Sequence, residues 1–545
     1  MLGNLSKWGV VSVLLLVSNM GFEPLSAQNT KPNIIVIMAD DLGYGDVSCY
    51  GAAALQTPNI DQLAQQGLRF TSGYCSASTC TPTRYSMLTG VYAFRTPGTG
   101  IAPPNSPAII QPGTETVATI LKRAGYATAV VGKWHLGLGQ PRSNNQQSGS
   151  EPVAPDSPGT KFGPDWNGDL RPGPLEIGFD SCFLLPTTND RVPQVYVQDH
   201  QVLNLDPADP LWVGDKSPSA DHPTGITHRN TLRMDWSHGH NQTIHNGISR
   251  IGFYTGGATA RFRDEELADR WIEESNKFIE SNQTRPFFLF FASHDIHVPR
   301  MPHERFQGTT TLGYRGDSIM QLDWCVGQLM ETLERLKLSE NTLIVFCSDN
   351  GPVMDDGYQD GAIEKLGDHR AAGPFRGGKY SVYEGGTRTP FIAHWPGKIQ
   401  PAISDEMVCT IDFAASFAAL VGQPIEADGC RDSQNVLAAL LGQPAAVGRD
   451  CLVQQDNGVS GTFGMRVRQR AADGREAQDW KLHRYDSKRA NNLVVEQQLE
   501  LSRVPQFQLF NLIQDPTEQR DVMADHPEVA QRLQQQLEKI IDQGP

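Results

Sequence analysis

Residues 75–90, CSASTCTPTRYSMLTG, hold two cysteines five positions apart, a spacing that makes neither a zinc knuckle nor a thioredoxin-type pair. Pro82 suits a first helical turn, and Tyr85, Met87 and Leu88 fit the helix after it. Cys80 is therefore expected at a helix N-terminus, where backbone N–H groups and the dipole attract negative charge. Such a place either lowers a thiol's pKa or receives an anionic substrate. Arg84 follows one turn later on the same face.

Other reactive side chains collect where apolar runs end. NIIVIM runs into Asp40 and Asp41, TLIVFCS into Asp349 and Asn350, and PFFLFFAS into His294 and His297. Each pair alone reads most simply as a solvated turn or a helix cap. In an open α/β sheet, however, ligands bind outside the carboxyl ends of the strands. Three carboxylates and a carboxamide at one such edge make an all-oxygen set for a hard divalent cation. Calcium tolerates its irregularity better than magnesium does. Lys133 and His135 in YATAVVGKWHLG, and Lys379 in GPFRGGKYSVYEGG, bring positive charge to the same edge. A lone lysine is ordinarily just solvated. Beside strand-end carboxylates, with Arg84, the lysines fit a pocket for a doubly charged oxyanion.

Buried-strand runs alternate with helical patterns to position these residues. TPNIDQLAQQG has Thr57 as N-cap, Pro58 at the first position and Gly67 as the stop, and GTETVATILKRAG repeats that plan before YATAVVG. DEELADRWIEESNKFIESN leads into PFFLFFAS, and DSIMQLDWCVGQLMETLERL into TLIVFCS. This alternation predicts an α/β fold: a doubly wound, mainly parallel central sheet with helices on both faces. After about residue 405 the rhythm weakens, which predicts a smaller C-terminal α+β subdomain ending in the amphipathic PEVAQRLQQQLEKIID. Two stretches break the pattern: 139–175, rich in Gly, Pro, Ser and Asn, and 222–245, with five of the 14 histidines.

The 545 residues suffice for one large domain plus a smaller one. Lys7, the apolar WGVVSVLLLV and the small-residue site ending at Ala27 read as a signal peptide over 1–27, too short to span a membrane. The expected organisation is then 28–405 as the catalytic domain and 406–545 as the subdomain. The chain is expected to be exported, periplasmic or extracellular, with no membrane span. A formal charge of −15 argues against nucleic acid as partner. Nine cysteines permit disulfides in such a compartment, but the odd number leaves one over.

CTPTRYSMLTG resembles the signature of the sulfatase family, with Thr83 in place of the commoner serine. MADDLGYGD, GKWHLG, HVP, SDNG and GGKYSVYEGG are similar to that family's other motifs, in its usual order. The resemblance covers the mature N-terminus to about residue 395 and continues weakly through FQLFNLIQDPTEQRD. It implies the formylglycine-dependent type within the alkaline phosphatase superfamily. Cys80 would be oxidised to formylglycine (3-oxoalanine) by a separate maturation enzyme, a partner of this chain. The competing reading is a Cys75–Cys80 disulfide or a buried free thiol.

The resemblance also implies roles. Asp40, Asp41, Asp349 and Asn350 would hold one calcium ion, with the modified Cys80 as a further ligand. One hydroxyl of the hydrated aldehyde attacks sulfur, Arg84 and Lys133 stabilise it, and Lys133 and Lys379 hold sulfate oxygens. His297, alone or with Lys379, protonates the leaving alcohol, and His135 takes the proton of the second hydroxyl as sulfate is expelled. His294 is expected either to support the site residues from behind or to be structural.

The irregular inserts would rim the pocket. The first insert and the stretch after it offer Trp166, Asn189, Asp190 and Arg191, and the second offers His228, His238, His240 and His245. Amides, imidazoles, arginine and an aromatic face suit a sulfated carbohydrate, and Asn189, Asp190, Arg191 and His228 are the substrate-binding candidates. NDRVPQVYV and HNGISRIGF look like secreted sulfatases acting on galactose-type 6-sulfates. Two other readings stand beside this one: a phosphate- or phosphonate-ester hydrolase on the same scaffold, and a catalytically silent glycan-binding protein.

Overall fold

The run NIIVIM shows how the molecule is layered. It forms strand β1 (Asn33–Ala39) with every residue buried. Alternate side chains face opposite sides of the sheet. Ile34, Val36 and Met38 join one core, while Ile35, Ile37 and Ala39 join a second. A strand apolar on both faces is what a sheet covered by helices on both sides requires.

The structure is a computed structural model that describes residues 31–141, 163–456, 461–471, 476–485 and 505–543. The signal peptide expected over 1–27, and most of the first irregular stretch, lie outside the described residues. In chain order the other strands of the central sheet are β2 (Leu68–Phe70), β3 (Ala127–Lys133), β4 (Ser181–Leu185), β5 (Val197–Gln198) and β6 (Gln201–Val202). They continue with β7 (Phe287–Ala292), β8 (Thr342–Ser348), β9 (Ile392–His394) and β10 (Ala402–Ser404). The ten strands lie in the order β10-β2-β9-β8-β1-β7-β3-β4-β5-β6. The run β8-β1-β7-β3-β4 is parallel throughout. The doubly wound, mainly parallel expectation therefore holds, with antiparallel pairs toward the margins.

Helices α1 (Pro58–Gln65), α4 (Leu267–Ser281) and α5 (Gly313–Arg335) cover one face through Ile60, Leu63, Trp271, Ile279, Leu322 and Leu329. Helices α2 (Cys80–Thr89) and α3 (Val117–Arg123) cover the other through Met87, Leu88, Ile120 and Leu121. Thr57 sits at the N-cap of α1, but its hydroxyl does not cap the helix; it bonds Asp61. Thr116 does cap α3, accepting from Thr119 N while its own N–H donates to the Thr119 hydroxyl, a capping box that the sequence plan did not include.

Beyond β10, Val408, Phe413 and Phe417 still pack into the core shared with α3. A separate four-stranded antiparallel sheet follows: β11 (Cys451–Gln455), β12 (Phe463–Gln469), β13 (Gln478–Arg484) and β14 (Phe507–Asn511). The last helix, Pro527–Asp542, lays Leu533 and Leu537 on it. Among the described residues, no helix is long and apolar enough to cross a membrane.

Candidate active site

The four strands β8, β1, β7 and β3 are neighbours and parallel, so their carboxyl ends share one edge. β1 ends in Asp40 and Asp41, β8 in Asp349 and Asn350, β7 in Ser293 and His294, and β3 in Lys133. Gly132 makes the last position possible: it has φ +114°, and a Cβ there would lie 2.0 Å from the Ala292 carbonyl oxygen of β7. Cys80 is the first residue of α2, at the helix N-terminus as the sequence predicts, and the whole helix is buried. Asp41, His135 and Tyr380 hold left-handed backbone at φ 60°, 54° and 70°. Strain of that kind persists where surrounding contacts fix it, and it clusters at functional sites.

Charges alternate across this buried edge. Arg84 donates from Nε to Asp349 Oδ2 at 2.9 Å and from a terminal nitrogen to the Lys133 carbonyl at 2.8 Å, and it pairs with Asp40 at 3.4 Å. Lys133 pairs closely with Asp40. Lys379 Nζ bridges Asp41 at 2.8 Å and Asp356 at 2.7 Å. Asn350 Nδ2 donates to Asp41 Oδ1 at 2.7 Å. Burial, then Asp349, pushes the Asp40 carboxyl up to about 7 against the pull of Lys133 and Arg84. Burial likewise raises Asp41 despite Lys379. Burial opposes the charge of Lys379, yet Asp356 and Asp41 outweigh it and hold the ammonium well above its ordinary range.

This edge fits a hard cation. Asp40 Oδ1 and Asn350 Oδ1 are buried oxygens with no hydrogen-bond donor, a state that is costly unless something else satisfies them. Ligand atoms of Asp40, Cys80 and Asp349 lie within 4.8 Å of one another, as do those of Asp40, Asp41 and His297.

The thiol itself answers the question raised by its helix position. Burial raises the Cys80 pKa above the ordinary thiol value, and Lys133 and Lys379 do not offset it. An unmodified Cys80 is a protonated thiol, not a thiolate nucleophile. The nine cysteines are all unpaired, so the Cys75–Cys80 disulfide is not formed. Cys75 instead donates to the carbonyls of Ala77 and Thr387.

Two imidazoles flank the cluster as neutral bases. His135 bonds Ala102 O through Nε2 at 3.0 Å, leaving Nδ1 buried and unpartnered. Burial, then Lys133 and Arg191, holds its pKa well below the ordinary value. His297 bonds Val298 O through Nδ1 at 2.7 Å, with Nε2 3.9 Å from Asp41. Burial, then Lys379 and Lys133, lowers it in the same way. His294 accepts from the Trp271 indole at 3.0 Å in the core, which agrees with a structural part.

The insert residues divide. Asp190 bonds Arg191 at 2.9 Å and His240 Nε2 at 2.9 Å, and it lies 3.9 Å from His297. Asn189 donates to Pro299 O, beside His297, at 3.1 Å. Burial opposes the Arg191 charge, but its pairing with Asp190 outweighs burial and raises its pKa. His228 is exposed and bonds its neighbour Thr227. His238 sits beside Ser237 and Asp355, and His245 is buried against Phe262 O and Tyr254. Trp166, expected to offer a stacking face, is instead a core residue: it is 2% exposed and its indole donates to Asn105. Sequence reasoning missed Asp356 and Tyr380, whose hydroxyl donates to Asp356 Oδ1 at 2.9 Å. Tyr380 stands next to Lys379 in the quoted motif, but only its φ marks it out.

Asp46 fixes the turn that carries the paired aspartates. It accepts from Gly43 N at 2.7 Å, from Arg315 at 2.7 and 2.6 Å, and contacts His369 Nε2 at 2.8 Å. Burial alone would raise its carboxyl, but Arg315 and His369 outweigh it and hold the pKa below the ordinary value. That stabilisation is complete above about pH 4 and is lost as pH falls through the lower folded value. Asp46→Asn leaves the Arg315 charge buried without its counter-ion, and the expected cost is about 3–5 kcal/mol. Denaturant titrations at several pH values check it: the gap to the parent enzyme should be full at pH 7 and shrink below about pH 4.

The family model Sulfatase matches residues 32–423. The chain belongs to the sulfatase family. This sulfatase is 44% identical over 528 residues to an N-acetylgalactosamine-6-O-sulfatase of Bacteroides thetaiotaomicron, covering 97% of this chain and 96% of that protein. Arylsulfatase A of Homo sapiens is 33% identical over 398 residues, covering 72% of this chain and 65% of the human one. Among solved structures, a protein labelled 6S-sulf, from work on glycosaminoglycan metabolism by B. thetaiotaomicron, superposes with TM-score 0.85 at 45% identity, covering 94% of this chain and 99% of that one. The sulfatase is a sulfuric ester hydrolase. The resemblance carried by the short motifs thus extends over nearly the whole chain.

Proposed function

We propose that this exported sulfatase removes 6-O-sulfate from a carbohydrate of the N-acetylgalactosamine or galactose type. The reaction centre is Cys80 converted to formylglycine by a maturation enzyme, with one calcium ion held by Asp40, Asp41, Asp349 and Asn350. The observation that carries the reading is the grouping of Cys80, Asp40 and Asp349 within 4.8 Å, with Arg84, Lys133 and Lys379 paired to the same carboxylates. The identity to the N-acetylgalactosamine-6-O-sulfatase supports the sugar.

A formylglycine hydrate at position 80, with calcium bound beside it, would supply a hydroxyl nucleophile and a second hydroxyl through which sulfate could be expelled. The chain's own residues do the rest. Lys133 and Lys379 offer N–H donors to sulfate oxygens and balance charge that moves toward the leaving group. Arg84, bound to Asp349 and the Lys133 carbonyl, keeps both aligned. His135 takes up a proton at Nδ1, the nitrogen its bond to Ala102 leaves open. His297 is held neutral by burial and by the two lysines. An anion between those lysines would offset their push, so that Nε2 takes a proton from solvent and passes it to the departing alcohol oxygen. Asn189, Asp190 and Arg191 face the sugar, and His228 stands further out on the exposed rim.

His297→Ala is expected to slow 6-sulfated N-acetylgalactosamine by about 10²–10⁴-fold and nitrophenyl sulfate far less, because a nitrophenolate leaves without protonation. Steady-state kinetics on both substrates check this, and equal losses would remove the general-acid role. A panel of defined sulfated sugars, with matched phosphate esters, tests the substrate. Turnover of the 6-sulfated galactosamine above all others is expected; preference for the phosphate esters would contradict the proposal.

A further inference from the structure

The loop 377–386 carries Lys379 and Tyr380 into the site, yet its firmest anchor is not in the catalytic sheet. Glu384, five residues beyond Lys379, is fully buried. Its Oε1 accepts from Lys481 Nζ at 2.8 Å, and its Oε2 accepts from the Tyr74 hydroxyl at 2.5 Å and from Arg388 at 3.1 Å. Arg466 stands 3.6 Å away. The Glu384 backbone N–H donates to Glu518 Oε2 at 2.6 Å. Lys481 belongs to β13 and Arg466 to β12, both in the four-stranded sheet. Glu518 lies beyond β14, 2.9 Å from His483 Nε2, and its carbonyl accepts from Arg376 at the head of the loop at 3.0 Å. Burial works against the Glu384 charge, but Lys481, Arg466 and Arg388 outweigh it and hold the carboxyl well below its usual range.

The same sheet grips the cysteine segment. Ser78 N donates to Gln455 O and Gln455 N to Ser76 O, while Tyr380 N donates to Ser78 O. Gln454 Nε2 adds a bond to Thr387 Oγ1 at 2.7 Å. Thus β11 and β13 hold the chain on both sides of the reaction centre: the residues leading into Cys80 and the loop bearing Lys379.

We propose that Glu384, clamped by Lys481 and Glu518, is a positioning residue through which the C-terminal sheet sets the place of Lys379 in the site. The partners of Glu384 are Lys481, Tyr74, Arg388, Arg466 and Glu518, none of them a group placed at the reaction centre. Glu384 acts by fixing the loop, so its loss displaces the ammonium that the proposed mechanism puts on sulfate oxygens. This inference rests on that role for Lys379. A displacement near 1 Å at such a group costs about 10²-fold in rate.

The test is a double-mutant cycle on the mature enzyme, with Glu384→Gln, Lys379→Ala and the pair, scored per folded molecule by circular dichroism and size exclusion. The readouts are kcat/KM on a 6-sulfated sugar and the inhibition constant of free sulfate. Glu384→Gln is expected to lose about 10–10²-fold in kcat/KM, to weaken sulfate inhibition, and to add almost nothing to the Lys379→Ala loss. Losses that multiply, or a Glu384→Gln enzyme of unchanged kcat/KM and sulfate affinity, would overturn the clamp while leaving the role of Lys379 intact. Full activity of Lys379→Ala would instead overturn that role and the clamp with it. If Glu384→Gln does not fold, Lys481→Met runs the same cycle with the Tyr74 and Arg388 bonds retained, and Lys481→Arg should recover much of the loss.

Discussion

Cys80→Ala should fold, still bind calcium through Asp40, Asp41, Asp349 and Asn350, and lose turnover by at least about 10⁴-fold, as removal of a covalent nucleophile does elsewhere. The buried thiol has no catalytic life of its own, since burial keeps it protonated. Alanine is smaller than cysteine and sits at a buried helix start whose backbone is already fixed by Thr83 N to Thr79 O and by Thr83 Oγ1 to Ala77 O. Its penalty in stability should therefore stay within the range for deleting one buried atom group, about 1 kcal/mol. Thermal unfolding, calcium titration and sulfate release on the same sample separate the effects. Cys80→Ser should be nearly as inactive, because a serine sulfo-ester has no second hydroxyl to expel sulfate.

Removing calcium should cost both activity and stability. Asp40, Asp41 and Asp349 are buried together, and Asp40 rises to about 7 as burial and Asp349 act on it. The proposed dication would lower that repulsion and satisfy the orphaned oxygens of Asp40 and Asn350. Such an ion would bind the folded chain and not the unfolded one. At calcium a thousandfold above its dissociation constant the linkage is worth about 4 kcal/mol. Chelation followed by a thermal scan should show a calcium-dependent fall in Tm, with activity returning on readdition. Asp349→Ala should abolish both effects, because it removes a ligand and leaves Arg84 buried without its 2.8 Å partner. A Tm indifferent to chelator and calcium would remove the metal assignment.

Much of this site was legible in the sequence because parallel strands buried on both faces are continuous apolar runs, and their ends are sharp. NIIVIM, TLIVFCS and PFFLFFAS each became a strand whose last residues deliver the expected groups to one edge. The last helix matched its amphipathic pattern over Pro527–Asp542. What stayed hidden depends on contacts between distant residues. Glu384 meets Lys481 across 97 positions and Glu518 across 134, and no local pattern announces either. The histidine-rich loop shows the same limit: His240 turns inward to Asp190 while His228 stays exposed, although composition treats them alike. Trp166 could be named as an aromatic, but only packing shows that its faces are already covered.

The most direct test of the account is the mass of the peptide spanning residue 80, taken from active enzyme produced in its own cells. Conversion of the thiol to the aldehyde predicts a loss of about 18 Da that rises and falls with specific activity across preparations. A fully active preparation whose peptide carries an unaltered cysteine would contradict it.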